Sequence, residues 1–590
     1  MEHRTDFTLR RMAGLALLAL SLLTASAQVN DTELADPKPG PQEAWQKLST
    51  PTLGWGSTDV RYSRSQVAET SPKSPLLRAW RGEKVSAQAV LSTPEDLEEV
   101  RLTVSDLSCG RSVIPASAIG KYFVRYVIAD SYKDRNDTCL VADRLDPADA
   151  LLVSANTSRP LWLEIRVPSD VAPGTYRGTL TVSGNKRLRD LENKKLDRDG
   201  KFTASIPIRL EVADRTLPDW SQWGFHLDLW QNPYAVARYF GVALWSQEHF
   251  DLMRPMMQRL AQAGQKVITC SVINKPWNSQ TFDYFESMVG KAKRLDGTWS
   301  YDYSVFDRWV EFMMSCGIDQ QIDCYTLVPW HYKFDYYDCA SNSVRYVKCK
   351  PGEQAYHDFI LPFLKDLSRH LRQKGWFERT HIAMDERPSA QMEAAWKVIQ
   401  EADPEFKIEG AANYNIESEA ADRIDDLSVG IRYNLIKGEA LTKRAAKGQK
   451  ITFYTCCSSE SPNTFTFSRP AEAAYLCLHA LACGYDGYLR WAYNSWPPQP
   501  NQNSRYRSKD WASGDCFLVY PTGSSIRFER LTEGIQAVEK VRLLRPTLNL
   551  KQAKQLDEML RYFAPSKCTA DDDVAATVRQ LNDLLWQLSK

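Results

Sequence analysis

The chain has 590 residues, of which 74 are basic and 73 acidic, so its formal net charge at pH 7 is +1. Without an excess of positive charge the protein lacks the electrostatic basis for binding a phosphate backbone, and we exclude nucleic acid as a partner. The length accommodates roughly two to four domains. The 18 Trp and 26 Tyr residues suit a surface that stacks on flat ligands such as sugar rings, although a large aromatic core accounts for part of them.

The N-terminus has the pattern of an export signal. Three arginines precede an apolar run over residues 12–23, and the small-residue site Ala-Ser-Ala follows at residues 25–27. We predict a signal peptide over residues 1–27 that is cleaved after Ala27. The apolar run is too short to span a membrane, and no other uncharged stretch reaches about 18 residues. We therefore expect an exported bacterial protein, periplasmic or secreted, without stable membrane insertion.

All 13 cysteines lie in the predicted mature chain, and an oxidising compartment permits disulfides. Cys109/Cys139 and Cys339/Cys349 are the pairs to test first, although sequence alone does not determine pairing. The chain has no C-x-x-C pair, no H-E-x-x-H, no P-loop and no G-x-G-x-x-G after a strand, and adjacent cysteines at 456 and 457 are poorly placed for zinc. We therefore expect no metal and no cofactor.

The first half of the mature chain reads as a lead-in followed by strands. Residues 28–49 are polar and proline-rich and predict a lead-in or linker. Residues 50–218 show apolar alternation with a period of two, which predicts an all-β sandwich. The runs that carry this prediction are 84–91, 161–167, 176–182 and 205–212, with a charged insert at 185–201 between the last two.

From residue 219 to 545 the pattern changes to strands alternating with amphipathic segments. Eight apolar strands are predicted, at 224–230, 266–273, 322–328, 380–384, 406–412, 427–432, 451–455 and 487–491. The clearest helical segments are 247–263, 304–316, 353–374, 389–402 and 470–483. Strand and helix repeated eight times predict a (β/α)8 TIM-type barrel. Residues 546–590 hold two further helical segments, 550–563 and 570–589, and predict a short helical C-terminal extension.

Polar and aromatic residues follow the predicted barrel strands at the end where such barrels carry their active sites. In chain order these residues are Asp228, Trp230, Asn274, Trp277, Trp330, His331, Asn413, Tyr414, Tyr454, Arg490, Trp491, Tyr493 and Trp496. Each alone is more often structural than functional. Together, rings, amides and charged groups at one rim favour a carbohydrate site, because sugars need flat apolar platforms and many hydrogen-bond partners.

The fourth predicted strand ends in two adjacent carboxylates, Asp385 and Glu386. Such a pair suits acid catalysis, because one carboxyl group can be held protonated while the other stays ionised. The alternative is that the pair merely caps the next helix. Neighbouring residues of a regular strand point to opposite faces, so both reach one site only if the strand ends or bulges at Asp385. Pro388 favours an end, because proline disfavours helix before it and fits the start of a helix.

Four stretches resemble glycoside hydrolase family 123, the exported β-N-acetylgalactosaminidases, and the resemblance extends over nearly the whole mature chain. They are residues 79–85 (AWRGEKV), 384–386 (MDE), 489–496 (LRWAYNSW) and 514–529, which includes Gly514-Asp515, Tyr520-Pro521 and SIRFE at its end. The departure is Arg387, since the family pattern has proline directly after the pair. The resemblance implies a β-sandwich followed by a (β/α)8 barrel, with Asp515 at the substrate.

The resemblance also implies an activity. The family members are exo-acting retaining enzymes that release terminal β-linked N-acetylgalactosamine, with the substrate's own acetamide as the nucleophile and an oxazoline intermediate. By resemblance, Glu386 is the general acid/base and Asp385 orients the acetamide. The acetamide oxygen would be held by Tyr454 or Tyr414, and Trp491 or Trp496 would contact the acetamide methyl or stack on the sugar. The expected partner is a glycan, whether glycolipid, glycoprotein or polysaccharide, with terminal β-N-acetylgalactosamine.

Two other interpretations of the same residues are open. The first is a two-carboxylate glycosidase of other sugar specificity, with Glu386 as the acid and Asp228 or Asp515 as the nucleophile or base. The second is a non-hydrolytic glycan-binding protein in which the aromatic rim only holds sugar. The sequence does not determine the oligomeric state.

Overall fold

The computed structural model describes residues 32–186, 200–277, 280–413, 418–433, 436–506 and 511–590. The predicted signal peptide over residues 1–27 and the predicted site residue Tyr414 lie outside the described residues.

The N-terminal part is rich in β-sheet, as predicted. It contains helix α1 (Glu43–Gln46) and strands β1 (Thr52–Gly56), β2 (Leu77–Arg81), β3 (Lys84–Thr93), β4 (Leu97–Val104), β5 (Leu107–Cys109), β6 (Ser112–Ile114), β7 (Ile119–Ala129), β8 (Cys139–Asp146), β9 (Leu151–Val153), β10 (Thr157–Arg166), β11 (Gly174–Lys186) and β12 (Lys201–Thr216). One sheet has the order β1-β3-β10-β7-β8 and the other β2-β12-β11-β4-β9, with β5 paired to β11 and β6 paired to β5. Buried aliphatic side chains from both sheets, such as Leu91 and Val182, form a shared core.

The strands of the C-terminal part are β13 (His226–Leu229), β14 (Val267–Ser271), β15 (Gly290–Lys293), β16 (Trp299–Asp302), β17 (Gln321–Tyr325), β18 (Lys333–Asp338), β19 (Ser343–Lys348), β20 (Thr380–Met384), β21 (Lys407–Ala412), β22 (Asp426–Gly430), β23 (Lys450–Tyr454) and β24 (Gly487–Arg490). Eight of them form a parallel sheet in the order β13-β24-β23-β22-β21-β20-β17-β14. All eight coincide with predicted strands.

This sheet curls into a nearly closed barrel. Between β13 and β14 only one backbone bridge, Leu227 to Gln265, joins the edges. Two glutamine side chains complete the seam: Gln265 Oε1 accepts from the Leu229 N–H (2.9 Å), and Gln231 Oε1 accepts from the Thr269 N–H (2.9 Å). The side-chain amides therefore replace backbone ladder bonds that the splayed edges cannot make.

Helices alternate with the barrel strands and continue into a helical tail, as predicted. They are α2 (Pro233–Phe240), α3 (Gln247–Gln262), α4 (Ser304–Ser315), α5 (Gln354–Lys374), α6 (Ser389–Ala402), α7 (Ser418–Ala421), α8 (Glu439–Ala446), α9 (Pro470–Cys483), α10 (Ile526–Leu544), α11 (Leu550–Leu560) and α12 (Val574–Leu588). No helix among the described residues is long and apolar enough to cross a membrane.

A four-stranded sheet of order β16-β15-β18-β19, which we did not predict, is inserted between the barrel strands. One face packs on α5, where Phe359 lies against Trp299 (5.3 Å between ring centroids) and Phe334 (5.2 Å). The other face carries charged residues. The insertion enlarges the rim at the C-terminal ends of β14 and β17, close to the predicted site.

A last strand, β25 (Ser524–Ser525), pairs antiparallel with β8 and adds a sixth strand to the first N-terminal sheet. The C-terminal part of the chain therefore contributes directly to the N-terminal sheets.

All 13 cysteines are free thiols in the structure, so neither of the disulfide pairs proposed for testing is present. Cys109 and Cys139 belong to strands of different sheets. Cys339 lies beyond the turn end of the β18–β19 hairpin and Cys349 beyond its open end, which separates the two by the length of a six-residue strand. A disulfide requires Cα atoms about 4.4–6.8 Å apart.

Candidate active site

Asp385 and Glu386 line one cleft at the C-terminal ends of the barrel strands. Strand β20 ends at Met384, directly before the pair. Pro388 has extended backbone angles (φ −56°, ψ 140°) and precedes the first residue of α6. The chain thus leaves the pleated strand at the carboxylates, so the alternation that would send them to opposite faces no longer applies.

Glu386 is held by donors at the C-terminal ends of two other barrel strands. The Tyr454 hydroxyl, at the end of β23, donates to Oε1, and Asn413 Nδ2, just after β21, donates to Oε2 (2.9 Å). Burial and the adjacent Glu386 carboxylate raise the pKa of Tyr454, so the phenol keeps its proton and remains a donor. Both oxygens of Glu386 are therefore oriented before a substrate binds.

Asp385 has a different environment. It is buried, and Trp330 Nε1 donates to its Oδ2 at 3.3 Å. Burial and the neighbouring Glu386 carboxylate raise the pKa of Asp385 to about 6. Arg387 opposes this rise by charge, and its guanidinium lies over the Trp330 ring (3.8 Å to the centroid) while Nε donates to the Val328 carbonyl (2.8 Å). Arg387 therefore fixes the indole that binds Asp385.

Three tryptophans wall the cleft beside the carboxylates. The ring centroids of Trp230 and Trp277 are 5.4 Å apart, those of Trp277 and Trp491 5.0 Å, and those of Trp230 and Trp491 5.6 Å. Tyr325 supports them from below, 4.4 Å from Trp230. Trp277 Nε1 is buried and has no hydrogen-bond partner among the described residues. The cleft thus offers apolar ring faces to a ligand.

Asp515 also lines the cleft, and Arg490 holds it there. Arg490 is completely buried; Nη2 donates to Asp515 Oδ1 (2.7 Å) and Nη1 to the Thr455 carbonyl (2.7 Å). Burial raises the pKa of Asp515 to about 6 despite the Arg490 charge. Arg490 is therefore a positioning residue behind the cleft wall rather than part of its surface.

The structure places several predicted residues away from the cleft. Asp228 lies one layer below Trp230, whose Nε1 donates to it (3.1 Å), because residues two apart in a strand share a face. Burial, followed by the Asp426 charge, raises the pKa of Asp228 to about 7. Tyr493 and Trp496 are fully buried and donate to the carbonyls of Met256 (3.0 Å) and Val519 (2.7 Å). They anchor the segment after β24.

Two further predicted residues, Asn274 and His331, line a separate pocket beside the cleft. The cleft-lining residues that we did not predict are Gln280, Ala411, Thr455, Cys456, Cys457, Leu489 and Trp511. Cys456 and Cys457 lie just after the C-terminal end of β23, so the search for functional residues after each barrel strand could have included them. Trp511 lies 21 positions beyond the end of β24 and had no pattern to identify it.

The sequence matches two family descriptions: glycoside hydrolase 123, catalytic domain, over residues 230–544, and glycoside hydrolase 123 N-terminal domain, over residues 55–184. A solved structure of a family 123 glycoside hydrolase from Clostridium perfringens, described for glycolipid glycan hydrolysis, is 25% identical with a TM-score of 0.81, covering 92% of this chain and 97% of that one. No curated protein matches the chain.

Two other solved structures are far more distant. A GH10 xylanase from Thermobacillus composti is 13% identical with a TM-score of 0.29, covering 54% of this chain and all (100%) of that one. A GH2 β-galacturonidase from Eisenbergiella tayi is 8% identical with a TM-score of 0.29, covering 78% of this chain and 90% of that one. Neither bears on the function of this protein.

Proposed function

The chain belongs to glycoside hydrolase family 123, and we propose that it is an exo-acting retaining enzyme that releases terminal β-linked N-acetylgalactosamine. The observation that carries the proposal is the pair Asp385 and Glu386, adjacent in sequence, differently hydrogen-bonded and lining one aromatic cleft. Since the Clostridium perfringens relative is described for glycolipid glycan hydrolysis, we include glycolipid glycans among the candidate substrates.

In the proposed mechanism the substrate's acetamide replaces a protein nucleophile. Glu386 donates a proton to the glycosidic oxygen as the bond from that oxygen to the anomeric carbon breaks. The acetamide oxygen bonds to the anomeric carbon, and Asp385 receives the proton of the acetamide N–H, which leaves a neutral oxazoline. Water then adds to the anomeric carbon while Glu386 takes its proton and Asp385 returns its own.

The contacts of the two carboxylates support these roles. Tyr454 holds Oε1 of Glu386 and Asn413 holds Oε2, so the carboxylate is oriented, and its remaining lone pairs exchange the proton with the leaving group and with water. Trp330 fixes Asp385 from the side, which keeps its second oxygen available for the acetamide. The three tryptophan faces supply the apolar platform for the sugar ring.

A two-carboxylate mechanism has one supporting observation, because Asp515 lines the same cleft. Its Oδ1, however, is bound to the buried Arg490 guanidinium. Asp228 lies below Trp230 and has no such access.

Hydrolysis of three aryl glycosides separates the candidates. We expect turnover of the β-N-acetylgalactosaminide and none of the β-galactoside, which lacks the acetamide nucleophile. Turnover of the galactoside would overturn substrate assistance in favour of the two-carboxylate enzyme. Failure to hydrolyse the N-acetylgalactosaminide, the N-acetylglucosaminide or the galactoside would favour a glycan-binding protein.

Substitutions at the pair test the two roles. We expect Glu386→Gln to lose about 10²- to 10⁴-fold in kcat on substrates with poor leaving groups and much less on activated aryl glycosides, because only the former need the proton. Asp385→Asn is expected to be impaired on both, since acetamide attack itself loses its partner. Asp515→Asn is the matched control for loss of a cleft carboxylate. Equal, small effects at 385 and 386 would show that the pair is a helix cap.

We also propose a domain arrangement for the chain and its export from the cell. Each of the eight parallel strands is followed by a helix before the next, which supports a (β/α)8 barrel over residues 219–545 between the sandwich (50–218) and the helical extension (546–590). Export with cleavage after Ala27 is tested by N-terminal sequencing of the mature protein. A mature chain that begins at Gln28 is expected, and retention of residues 1–27 would contradict export by this signal.

A further inference from the structure

A second pocket lies beside the catalytic cleft, between the loop after β14 and the outward face of the inserted sheet. Its charged and aromatic lining consists of Lys275, Lys333, Lys348, Asp335, His331, Tyr284 and Tyr346. The two sites are neighbours in the chain as well as in space. The loop that carries Lys275 continues to Trp277 of the cleft, and the loop before Lys333 carries Trp330, the Asp385 partner.

The pocket contains positive charges in positions that are unfavourable for the stability of the sheet. Lys333 and Lys348 stand directly opposite each other in the β18–β19 pair, an arrangement in which like charges destabilise a sheet. Among the described residues, none of the three lysine side chains forms an ion pair. The one carboxylate in the lining, Asp335, instead accepts a hydrogen bond from Asn274. Three ammonium groups against one carboxylate therefore leave the lining with an excess of positive charge.

The aromatic rings are arranged to keep the ammonium groups in place and open to solvent. Lys333 Nζ lies 3.8 Å from the Tyr346 ring centroid and Lys275 Nζ 4.5 Å from that of Tyr284. Tyr284 and Tyr346 are 48% and 57% exposed. Phe334 alternates with these residues on the opposite face, where it packs on α5. A flat apolar surface beside unpaired cations suits an acidic sugar ring.

One of the pocket's lysines also has a strained backbone conformation. Lys275 adopts φ +49°, a left-handed conformation that a residue with a long side chain rarely takes. Strain of this kind persists where the surroundings enforce it and is concentrated at functional sites. The backbone strain of Lys275 and the repulsion between Lys333 and Lys348 each destabilise the fold locally, and both occur at one pocket. A bound anion would offset the repulsion, which points to a ligand at this place.

We infer that this pocket is a subsite for an acidic sugar of the glycan, one that bears a carboxylate or a sulfate group. The inference rests on the proposed glycosidase function and deepens it. In an exo-acting enzyme the terminal sugar fills the aromatic cleft, so the acidic sugar belongs to the acceptor side, next to the sugar that is released. The three lysines bind the anion as point charges, and Tyr284 and Tyr346 contact the ring.

The test compares acidic and neutral glycans in one variant. Lys333→Ala/Lys348→Ala is expected to raise KM about tenfold for an N-acetylgalactosamine-terminated oligosaccharide that carries an acidic sugar, the effect of losing one charged hydrogen bond. Its kcat/KM on the neutral aryl β-N-acetylgalactosaminide is expected to stay unchanged, which also shows that the variant is folded. Arg345→Ala, an exposed cation on the opposite face of β19, is the matched control and is expected to change neither value.

Direct binding provides a readout without turnover. Calorimetry with a uronic acid, with a sulfated galactose and with neutral galactose identifies which anion is recognised. We expect an acid to bind with an affinity that falls as salt increases, and that dependence to disappear in the double variant. Asp335→Asn is expected to strengthen binding, because it removes the opposing charge. Lys348→Gln alone, on the edge strand, provides a milder second variant.

Failure of the inference and failure of the proposed function are distinguishable. If the wild type does not hydrolyse the aryl β-N-acetylgalactosaminide, the proposed function fails. If it does, but the lysine variants affect acidic and neutral oligosaccharides equally and neither acid binds more tightly than galactose, the acidic subsite is wrong and the enzyme assignment stands.

Discussion

Asp385 and Glu386 are adjacent in the chain, yet the structure gives them unlike surroundings. Asp385 is buried with one indole donor, whereas Glu386 is partly exposed and is held by a phenol and an amide. Carboxyl groups in unlike environments can take unlike roles in one reaction. The proposed acetamide mechanism needs this separation, because one group must exchange a proton with solvent and the other must face the substrate.

The pKa of Asp385 leads to a prediction about pH. Since that pKa is about 6 and acetamide attack needs the carboxylate, kcat/KM on the aryl β-N-acetylgalactosaminide is expected to fall as pH drops below about 6. Trp330→Phe removes the indole donor that favours the ionised form, so the acidic limb is expected to move up by roughly half to one pH unit. A pH–rate profile of both proteins measures this, and a limb that stays in place or moves down contradicts the assignment.

Cys456 is a thiol that lines the wall of the cleft. A hydrogen bond from the Cys457 thiol, supplemented by Ser458, lowers the pKa of Cys456 to about 7. Thiolates are the nucleophilic form, so iodoacetamide is expected to inactivate the enzyme with a rate that rises through pH 7, and N-acetylgalactosamine to protect it. Cys456→Ser is expected to resist inactivation. Cys477, which is buried in α9, provides the control: Cys477→Ser is expected to be inactivated like the wild type.

At the level of elements, hydrophobic periodicity predicted the strands and helices that have a regular apolar pattern and missed those that lack one. The barrel strands are short buried runs between amphipathic helices, so all eight were found. Helix α10 was not predicted because it is buried on nearly all sides, which removes the polar face that reveals a helix. The inserted sheet was missed because strands such as β19 expose most of their residues. The seam glutamines and Arg490 act through tertiary contacts that no local pattern encodes.

The lead-in segment is also held by tertiary contacts. Arg159 binds both carboxylate oxygens of Glu33 (2.6 and 2.8 Å), and Arg125 Nε adds a third contact (2.9 Å). Burial alone would raise the pKa of Glu33, but the Arg159 and Arg125 charges hold it at about 2. The segment predicted as a lead-in or linker is thus pinned to the N-terminal sheet through a buried ion cluster.

Replacing Glu33 with Gln is expected to lower the free energy of unfolding by about 3 kcal/mol at neutral pH, the value of a shift from 4.5 to about 2. A depressed carboxyl pKa stabilises the fold above the unfolded value of 4.5 and loses that effect as pH falls toward 2. The difference between wild type and variant should therefore shrink across this window. Urea unfolding at several pH values measures it, and a pH-independent difference contradicts the ion cluster.

At the scale of the whole molecule, buried hydrogen bonds join the N-terminal sheets to the part of the chain that carries the cleft. Asp143 on β8 is fully buried and accepts from Arg61 Nη1 (3.0 Å), Arg527 Nε (2.9 Å) and the Tyr520 hydroxyl (2.7 Å). Arg527, on α10, also donates to the carbonyl of Gly514, the residue before Asp515 of the cleft (3.1 Å). One chain of buried hydrogen bonds therefore runs from strand β8 of the N-terminal sheets to the wall of the site.

This coupling predicts a single cooperative unfolding transition that depends on Asp143. Asp143→Asn leaves two buried guanidinium groups without their anion and is expected to cost about 3–5 kcal/mol, because removing one partner of a buried pair strands the other charge. The control is Asp583→Asn, whose exposed pair with Arg78 also links the sandwich to the tail and is expected to cost no more than about 1 kcal/mol. Residues 219–590 expressed alone lack β8 and Asp143, so β25 and Arg527 lose their partners and we expect no active enzyme. Full activity of that fragment, with an unfolding midpoint equal to that of the whole chain, would show that the sandwich is an independent appendage.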